Sequence, residues 1–219
     1  MPHAFIFDLD GTLVESLPGI ATALNRALAA HDLPTHPESA VRNFIGNGSW
    51  MLCRRGAPDV EDALVDQLEA RFFADYNTCW QDGTHPFPGI DDLLKTLVHD
   101  HTPLAVFSNK PHDFTVDIVA ALFPDIPFVS VLGHKTDAPR KPDPAGALEI
   151  ATALHVPHAD IAFIGDSTVD HDTAINAGMQ PLLVDWGYHD RPALEKTGSP
   201  VVSSPDQILP SLAALHPEA

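Results

Sequence analysis

A few residues have the types and spacing to do chemistry together. Asp8 and Asp10 stand two apart in Ala4-Phe5-Ile6-Phe7-Asp8-Leu9-Asp10-Gly11-Thr12-Leu13-Val14. In an extended chain residues two apart point the same way, so both carboxylates can converge on one object. Further polar stations follow at Ser108-Asn109, at Lys141 and at Asp166 with Asp170. Four carboxylates beside one lysine repel unless a cation is bound. Oxygen ligands suit a hard ion, most naturally Mg²⁺, which shares its shell with waters and substrate phosphate. A hydroxyl, an amide and an ammonium can hold phosphoryl oxygens, and positioned donors with a metal stabilise their spread charge. Each station also has an ordinary reading. Asp-x-Asp can be a solvated acidic turn, Ser108 and Asn109 a helix cap, and Lys141 one more solvated lysine. Asp166 and Asp170 can simply face water at a helix N-terminus, where the dipole favours carboxylates.

What joins the stations is the edge on which the elements place them. Ala4–Phe7 reads as a strand buried on both faces, as in a parallel sheet covered by helices. Later apolar runs read as strands at Leu104–Phe107, Phe128–Leu132, Ile161–Ile164 and Leu182–Val184, with Val201-Val202 as a short edge strand. Helical patterns separate them: Ile90 to His99, Pro111 to Leu122, Asp143-Pro144 to His155, and a helix closing at Gly178. Pro210 should kink or divide the helical tail that starts at Pro205. Strands alternating with helices predict an α/β fold with a doubly wound parallel sheet. All strands of such a sheet end on one side, so the stations can meet in one crevice. Residues 15–84 show helical patterns and no convincing strand. Ser16 and Pro18 open one helix, Ser49 another, and Leu64, Leu68, Phe72 and Tyr76 mark the face of a third from Asp59 to Cys79. The expected organisation is an α/β core of residues 1–14 and 85–219, with an all-helical cap inserted at 15–84.

Composition narrows the function classes. The 219 residues carry Lys+Arg 12 against Asp+Glu 30, a net charge of −18. That balance argues against nucleic acid or an anionic membrane as partner, and an anionic substrate would need local cations or a metal. Cys53 and Cys79 imply no disulfide framework, and the 13 histidines lack zinc-site spacing. No run approaches the ~20 apolar residues of a membrane span. The expected setting is the cytoplasm. The oligomeric state is not legible.

Asp8-Leu9-Asp10-Gly11-Thr12-Leu13-Val14, Ser108, Lys141 in Arg140-Lys141-Pro142-Asp143-Pro144, and Gly165-Asp166-Ser167 with Asp170 resemble, in order, the four motifs of the haloacid dehalogenase (HAD) superfamily. The resemblance covers nearly the whole chain. Within the superfamily it is strongest to phosphoglycolate phosphatases, through Ile45-Gly46-Asn47-Gly48, Ser108-Asn109-Lys110-Pro111 and Trp186-Gly187-Tyr188. The resemblance implies a Rossmann-like core and an Mg²⁺-dependent phosphatase acting on a small phosphorylated metabolite, 2-phosphoglycolate first. Asp8 would be the nucleophile and Asp10 the general acid and base. The Asp8 carboxylate, the Asp10 carbonyl and Asp166 would hold the metal, with Asp170 orienting them. Ser108, Asn109 and Lys141 would bind the phosphoryl group. Ile175 departs from the pattern, standing where many relatives carry a basic residue.

Other functions share parts of this pattern. In halide-releasing dehalogenases the second carboxylate of the first motif is generally absent, whereas Asp10 is present here. A phosphonoacetaldehyde hydrolase would use a cap lysine, and 15–84 contains none. Sugar-phosphate or nucleotide phosphatases and phosphomutases keep the same chemical residues. A signalling module that holds phosphate on Asp8 without turnover needs neither Asp10 nor a cap of about 70 residues. For the cap, Asn47 between two glycines is the expected substrate contact, with Arg54 or Arg55 available for a second anionic group.

Overall fold

The computed structural model describes residues 2–215. In chain order the elements are β1 (Ala4–Phe7), β2 (Val14–Glu15), α1 (Leu17–Ala29), α2 (Glu38–Val41) continued by a 3₁₀ turn, α3 (Ser49–Gly56), α4 (Asp62–Cys79) and β3 (His85–Pro86). Then come α5 (Ile90–His99), β4 (Leu104–Pro111), α6 (His112–Leu122), β5 (Ser130–His134), α7 (Ala145–Leu154), β6 (Ile161–Gly165), α8 (Thr168–Ala177), β7 (Gln180–Val184), α9 (Arg191–Glu195), β8 (Val201–Val202) and α10 (Ile208–Leu215). Two compact units result: Met1–Leu13 with Pro86–Ala219, and Val14–His85.

The larger unit is built on a six-stranded sheet of order β5-β4-β1-β6-β7-β8. Its pairings are parallel throughout. The fold is therefore the doubly wound α/β class. The central strand β1 is almost fully covered, with Phe5 at 1% exposure and Ile6 and Phe7 at 0%. On one face Ala4, Ile6, Phe107, Leu132, Ile150 and Phe163 pack into a single apolar cluster. Strand order reverses at β1, between β4 and β6, and ligands of open α/β sheets bind outside the strand ends at such a point.

Several boundaries differ from the sequence reading. β5 starts at Ser130 rather than Phe128, leaving Val129 half exposed, and it runs on through Gly133 and His134. β4 continues through Ser108, Asn109 and Lys110 rather than stopping at Phe107. The tail from Pro205 is divided, as expected, into a 3₁₀ turn over Pro205–Gln207 and α10 from Ile208, and Pro210 falls in the first turn of α10, where a missing N–H costs least. The last four residues of the tail lie outside the described residues.

The smaller unit is helical apart from a short two-stranded pairing of β2 with β3 at its chain ends. α1 buries Ile20, Leu24, Ala27 and Leu28 as expected. Its first N–H, from Leu17, is accepted by Glu15 Oε1 at 2.9 Å; Ser16 makes no side-chain cap. α4 starts at Asp62, and its buried stripe is Val65, Leu68, Phe72 and Tyr76; Leu64 is only half buried. Cys53 and Cys79 are separate buried thiols, and burial pushes Cys53 up to about 12, so it stays a neutral thiol at neutral pH.

Candidate active site

Two strand ends of the larger unit bring three carboxylates together. Asp8 follows β1 directly, Asp166 follows β6, and Asp170 sits in the first turn of α8. Their nearest oxygens lie within 4.8 Å of one another, and all three residues are buried. α8 begins with a capping box: Ser167 Oγ accepts from the Asp170 N–H at 3.2 Å, while Asp170 Oδ2 accepts from the Ser167 N–H at 3.1 Å. The cap fixes the rotamer of Asp170, so its other oxygen meets the Lys141 ammonium, Nζ donating to Oδ1 at 2.7 Å. Asp170 is thus a cap and an ion-pair partner at once. Lys141 Nζ also lies 2.8 Å from Asp8 Oδ1, with side-chain exposures of 2% and 12%. That second contact is an ion pair without hydrogen-bond alignment, so Asp8 Oδ1 is buried with no hydrogen-bond partner.

The electrostatics follow from this packing. Burial pushes the Asp8 carboxyl up to about 7; Lys141 opposes the rise, and the Asp170 and Asp166 charges add to it. Burial alone would lower Lys141, but Asp170 and Asp8 outweigh it and hold the ammonium charged. Three carboxylates against one ammonium leave excess negative charge in a buried site, and one carboxylate oxygen without a hydrogen bond. Such an all-oxygen donor set fits a hard divalent cation.

Asp166 is placed by close backbone approach. Its Oδ2 accepts from the Tyr188 N–H at 2.6 Å. A Cβ on Gly11 or on Gly187 would fall 2.4 Å from that same oxygen, so only glycine leaves room for the carboxylate. Gly11 also has φ +84°, a conformation that favours glycine. His189 was not anticipated from the sequence. Its Nδ1 lies 3.9 Å from Asp166 Oδ2, too far for a hydrogen bond, and the nearby carboxylate raises its pKa. Its only sequence signal was adjacency to Trp186-Gly187-Tyr188.

Asp10 takes a different partner. Its carboxylate does not join the acidic cluster; Lys110 Nζ donates to Oδ1 at 3.1 Å and to Oδ2 at 3.2 Å. Sequence reasoning missed Lys110, although it directly follows Ser108-Asn109. Between Phe107 and Pro111 the pairing of β4 with β5 slips, four residues of β4 spanning two of β5. Irregularities of this kind re-aim side chains. Ser108 Oγ accepts from the Lys110 N–H at 3.2 Å, and Ser108 is buried where the pairing slips. Both ends of the Asn109 amide grip the backbone of Lys141: Nδ2 donates to its carbonyl at 3.1 Å, and its N–H donates to Oδ1 at 2.8 Å. The Asn109 side chain therefore ties β4 to the backbone of Lys141. None of these residues caps α6, whose N-cap is Pro111.

In the smaller unit, Gly46 and Gly48 have φ +112° and +88°, so the turn around Asn47 needs both glycines. Asn47 Oδ1 accepts from Arg55 Nη2 at 2.6 Å, and Arg55 Nη1 donates to the Phe44 carbonyl at 2.8 Å. Arg54 pairs instead with Asp62 and with the Val60 carbonyl at 2.6 Å, so it ties α3 to the start of α4.

A doubly wound sheet carrying buried aspartates and a lysine at its switch point defines an α/β enzyme with an acidic site at the strand ends, and comparison with known proteins makes the class specific. The haloacid dehalogenase-like hydrolase family model matches residues 5–184. This chain belongs to that family. It is 37% identical over 200 residues to the phosphoglycolate phosphatase of Rhodospirillum rubrum, covering 88% of this chain and 83% of the relative. It is 32% identical over 234 residues to the Escherichia coli enzyme of the same name, covering 97% and 93%. A crystal structure from Haemophilus somnus, described as "predicted phosphoglycolate phosphatase", superposes with TM-score 0.89 at 27% identity over 96% of this chain and 97% of that one.

Proposed function

We propose that the chain is an Mg²⁺-dependent phosphomonoesterase whose preferred substrate is 2-phosphoglycolate. The observation that carries this reading is the buried Asp8 carboxylate, held beside Lys141 and facing Asp166 and Asp170, with Asp10 two residues further on. The relatives' shared name supports the choice of substrate. Asp8, Asp166 and the Asp10 carbonyl would hold the metal, with Asp170 fixed behind them. When bound, the metal supplies positive charge that keeps the carboxylates ionised and neutralises phosphoryl oxygens.

The chain's own residues then account for the chemistry. An Asp8 oxygen attacks phosphorus as the ester P–O bond breaks, and Asp10 gives a proton to the departing oxygen. Asp10 next takes a proton from a water that attacks the aspartyl-phosphate, releasing inorganic phosphate and restoring Asp8. Ser108 and Lys141 bind phosphoryl oxygens, and Asn109 keeps Lys141 in register. Residues 15–84 act as the cap, with Asn47 as substrate contact. The partner is a small metabolite rather than nucleic acid or membrane, and the setting is the cytoplasm. Among the described residues no helix is long and apolar enough to cross a membrane.

The test is a panel of phosphorylated metabolites compared by kcat/KM, with Mg²⁺ and after EDTA treatment, on wild type and Asp8→Asn. Phosphoglycolate should lead, EDTA should abolish turnover reversibly, and Asp8→Asn should lose at least about 10³-fold with unchanged circular dichroism. Full turnover without metal, or wild-type activity in Asp8→Asn, would overturn the proposal.

A further inference from the structure

The two aspartates of the first motif are served by two different lysines. Lys141 holds Asp8 and Asp170, while Lys110 straddles both oxygens of Asp10. Lys110 and Asp10 have side-chain exposures of 6% and 12%, so the ammonium has been taken almost wholly out of water. Lysine is rarely buried unless paired, and it brings three donors and a flexible stem that must be ordered. A carboxylate without such a partner can turn about its Cα–Cβ bond among staggered rotamers. One held across both oxygens cannot do so without losing charge-assisted hydrogen bonds. The slip in the β4–β5 pairing lies across Ser108–Lys110 and allows Lys110 to be aimed at a residue 100 positions away.

From this geometry we infer that Lys110 is a positioning residue for Asp10. It fixes the carboxylate in the orientation from which Asp10 exchanges a proton with the leaving-group oxygen and then with the hydrolytic water. The inference rests on the reading of Asp10 as general acid and base. Proton transfer to the leaving group matters most when that group is a poor one. Loss of Lys110 should therefore be felt by alkyl phosphates and much less by p-nitrophenyl phosphate, whose leaving group departs readily without a proton.

The experiment compares kcat/KM of wild type, Lys110→Met, Lys110→Arg and Asp10→Asn on p-nitrophenyl phosphate, ethyl phosphate and 2-phosphoglycolate. Lys110→Met keeps the stem and removes the charge. It should lose about 10–10²-fold on both alkyl esters, part of the roughly 10²–10⁴-fold contribution of a general acid, and less than about threefold on p-nitrophenyl phosphate. Lys110→Arg should recover part of that loss. In Asp10→Asn, adding Lys110→Met should cost nothing further on the alkyl esters.

Equal losses on all three substrates would reduce Lys110 to a structural ion pair and overturn the inference. A loss confined to phosphoglycolate would make it a contact for the substrate carboxylate, and would overturn it equally. An undiminished effect in the Asp10→Asn background would separate Lys110 from Asp10 and refute the positioning role. If Lys110→Met fails to fold, Lys110→Gln and Lys110→Arg carry the same comparison, and absence of leaving-group dependence in both refutes the role. Should Asp10→Asn itself show no leaving-group dependence, the acid and base assignment of Asp10 fails instead, which identifies the fault as lying in the parent reading.

Discussion

Replacing Gly187 with alanine should disable the acidic cluster while leaving the fold in place. An ideal Cβ there would lie 2.3 Å from the Gly11 carbonyl oxygen and 2.4 Å from both Cβ and Oδ2 of Asp166. Ordinary contact begins at 3.4 Å, so Asp166 or the loop must move by about 1 Å. Gly187 is not among the positive-φ glycines, so alanine adds bulk without adding backbone strain. Overpacking of this kind costs about 1–3 kcal/mol, which a chain of this size survives. Displacement by about 1 Å in a reacting constellation costs on the order of 10²-fold in rate, and a disturbed metal shell costs about 10–100-fold in affinity.

Two measurements separate these effects: Mg²⁺ activation of kcat/KM, and the Mg²⁺-dependent rise in melting temperature. Gly187→Ala should need at least tenfold more Mg²⁺ in both. Gly198→Ala is the control, because Gly198 has φ +81° with nothing within 4 Å of the added Cβ. It should lose stability through backbone strain of about 1–3 kcal/mol and leave the Mg²⁺ dependence untouched. Wild-type Mg²⁺ affinity and turnover in Gly187→Ala would mean that Asp166 has no metal-holding role at the position described.

Two other perturbations bear on separate parts of the molecule. Lys141→Met strands Asp8 and Asp170 without their ammonium, and breaking a buried pair costs about 3–5 kcal/mol; urea unfolding in EDTA should show a loss in that range, and a midpoint equal to wild type would contradict the ion-pair geometry. Asn47→Ala should lower kcat/KM for phosphoglycolate by the value of one hydrogen bond, about 0.5–1.5 kcal/mol, with p-nitrophenyl phosphate much less affected. Because Asn47 Oδ1 is engaged by Arg55, Arg55→Lys should reproduce the Asn47→Ala pattern. An equal loss on both substrates would assign the turn to folding of the helical unit.

The sheet and the chemical stations were legible because buried parallel strands read as short apolar runs, each ending in polar residues. The detail inside the stations was not legible, for identifiable reasons. The argument that Asp8 and Asp10 point the same way holds only in extended chain. β1 ends at Phe7, and the segment beyond it turns, with the Leu13 N–H bonding to the Leu9 carbonyl at 3.0 Å. The two carboxylates consequently find different lysines. Lys110 stayed hidden because regular periodicity cannot forecast a slip in strand pairing, and Lys-Pro before a helix looks like an ordinary entry to it. The contact of Asn109 was hidden for a related reason: sequence gives its donor and acceptor, but not that both reach the Lys141 backbone, 32 residues away. In α4 the four-residue spacing selected Leu64 where Val65 is buried, since a stripe at 3.6 residues per turn drifts by one position over this length.

Net charge poses a final physical problem, because a chain at −18 must attract and hold a phosphate ester. Long-range attraction is not available, so the positive charge has to be local and buried, where screening by salt is weak. Lys141 and Lys110 meet that need within the larger unit, each buried against carboxylates. Yet each is already offset by its aspartates, and Asp166 adds a further negative charge to the Asp8 and Asp170 cluster. The lysines therefore organise the carboxylates without reversing their sign. A divalent cation is the simplest addition that does both, so the charge arrangement independently supports the metal dependence proposed above. By the same reasoning, a phosphate ester presented to the metal-free protein should bind much more weakly than one presented with Mg²⁺.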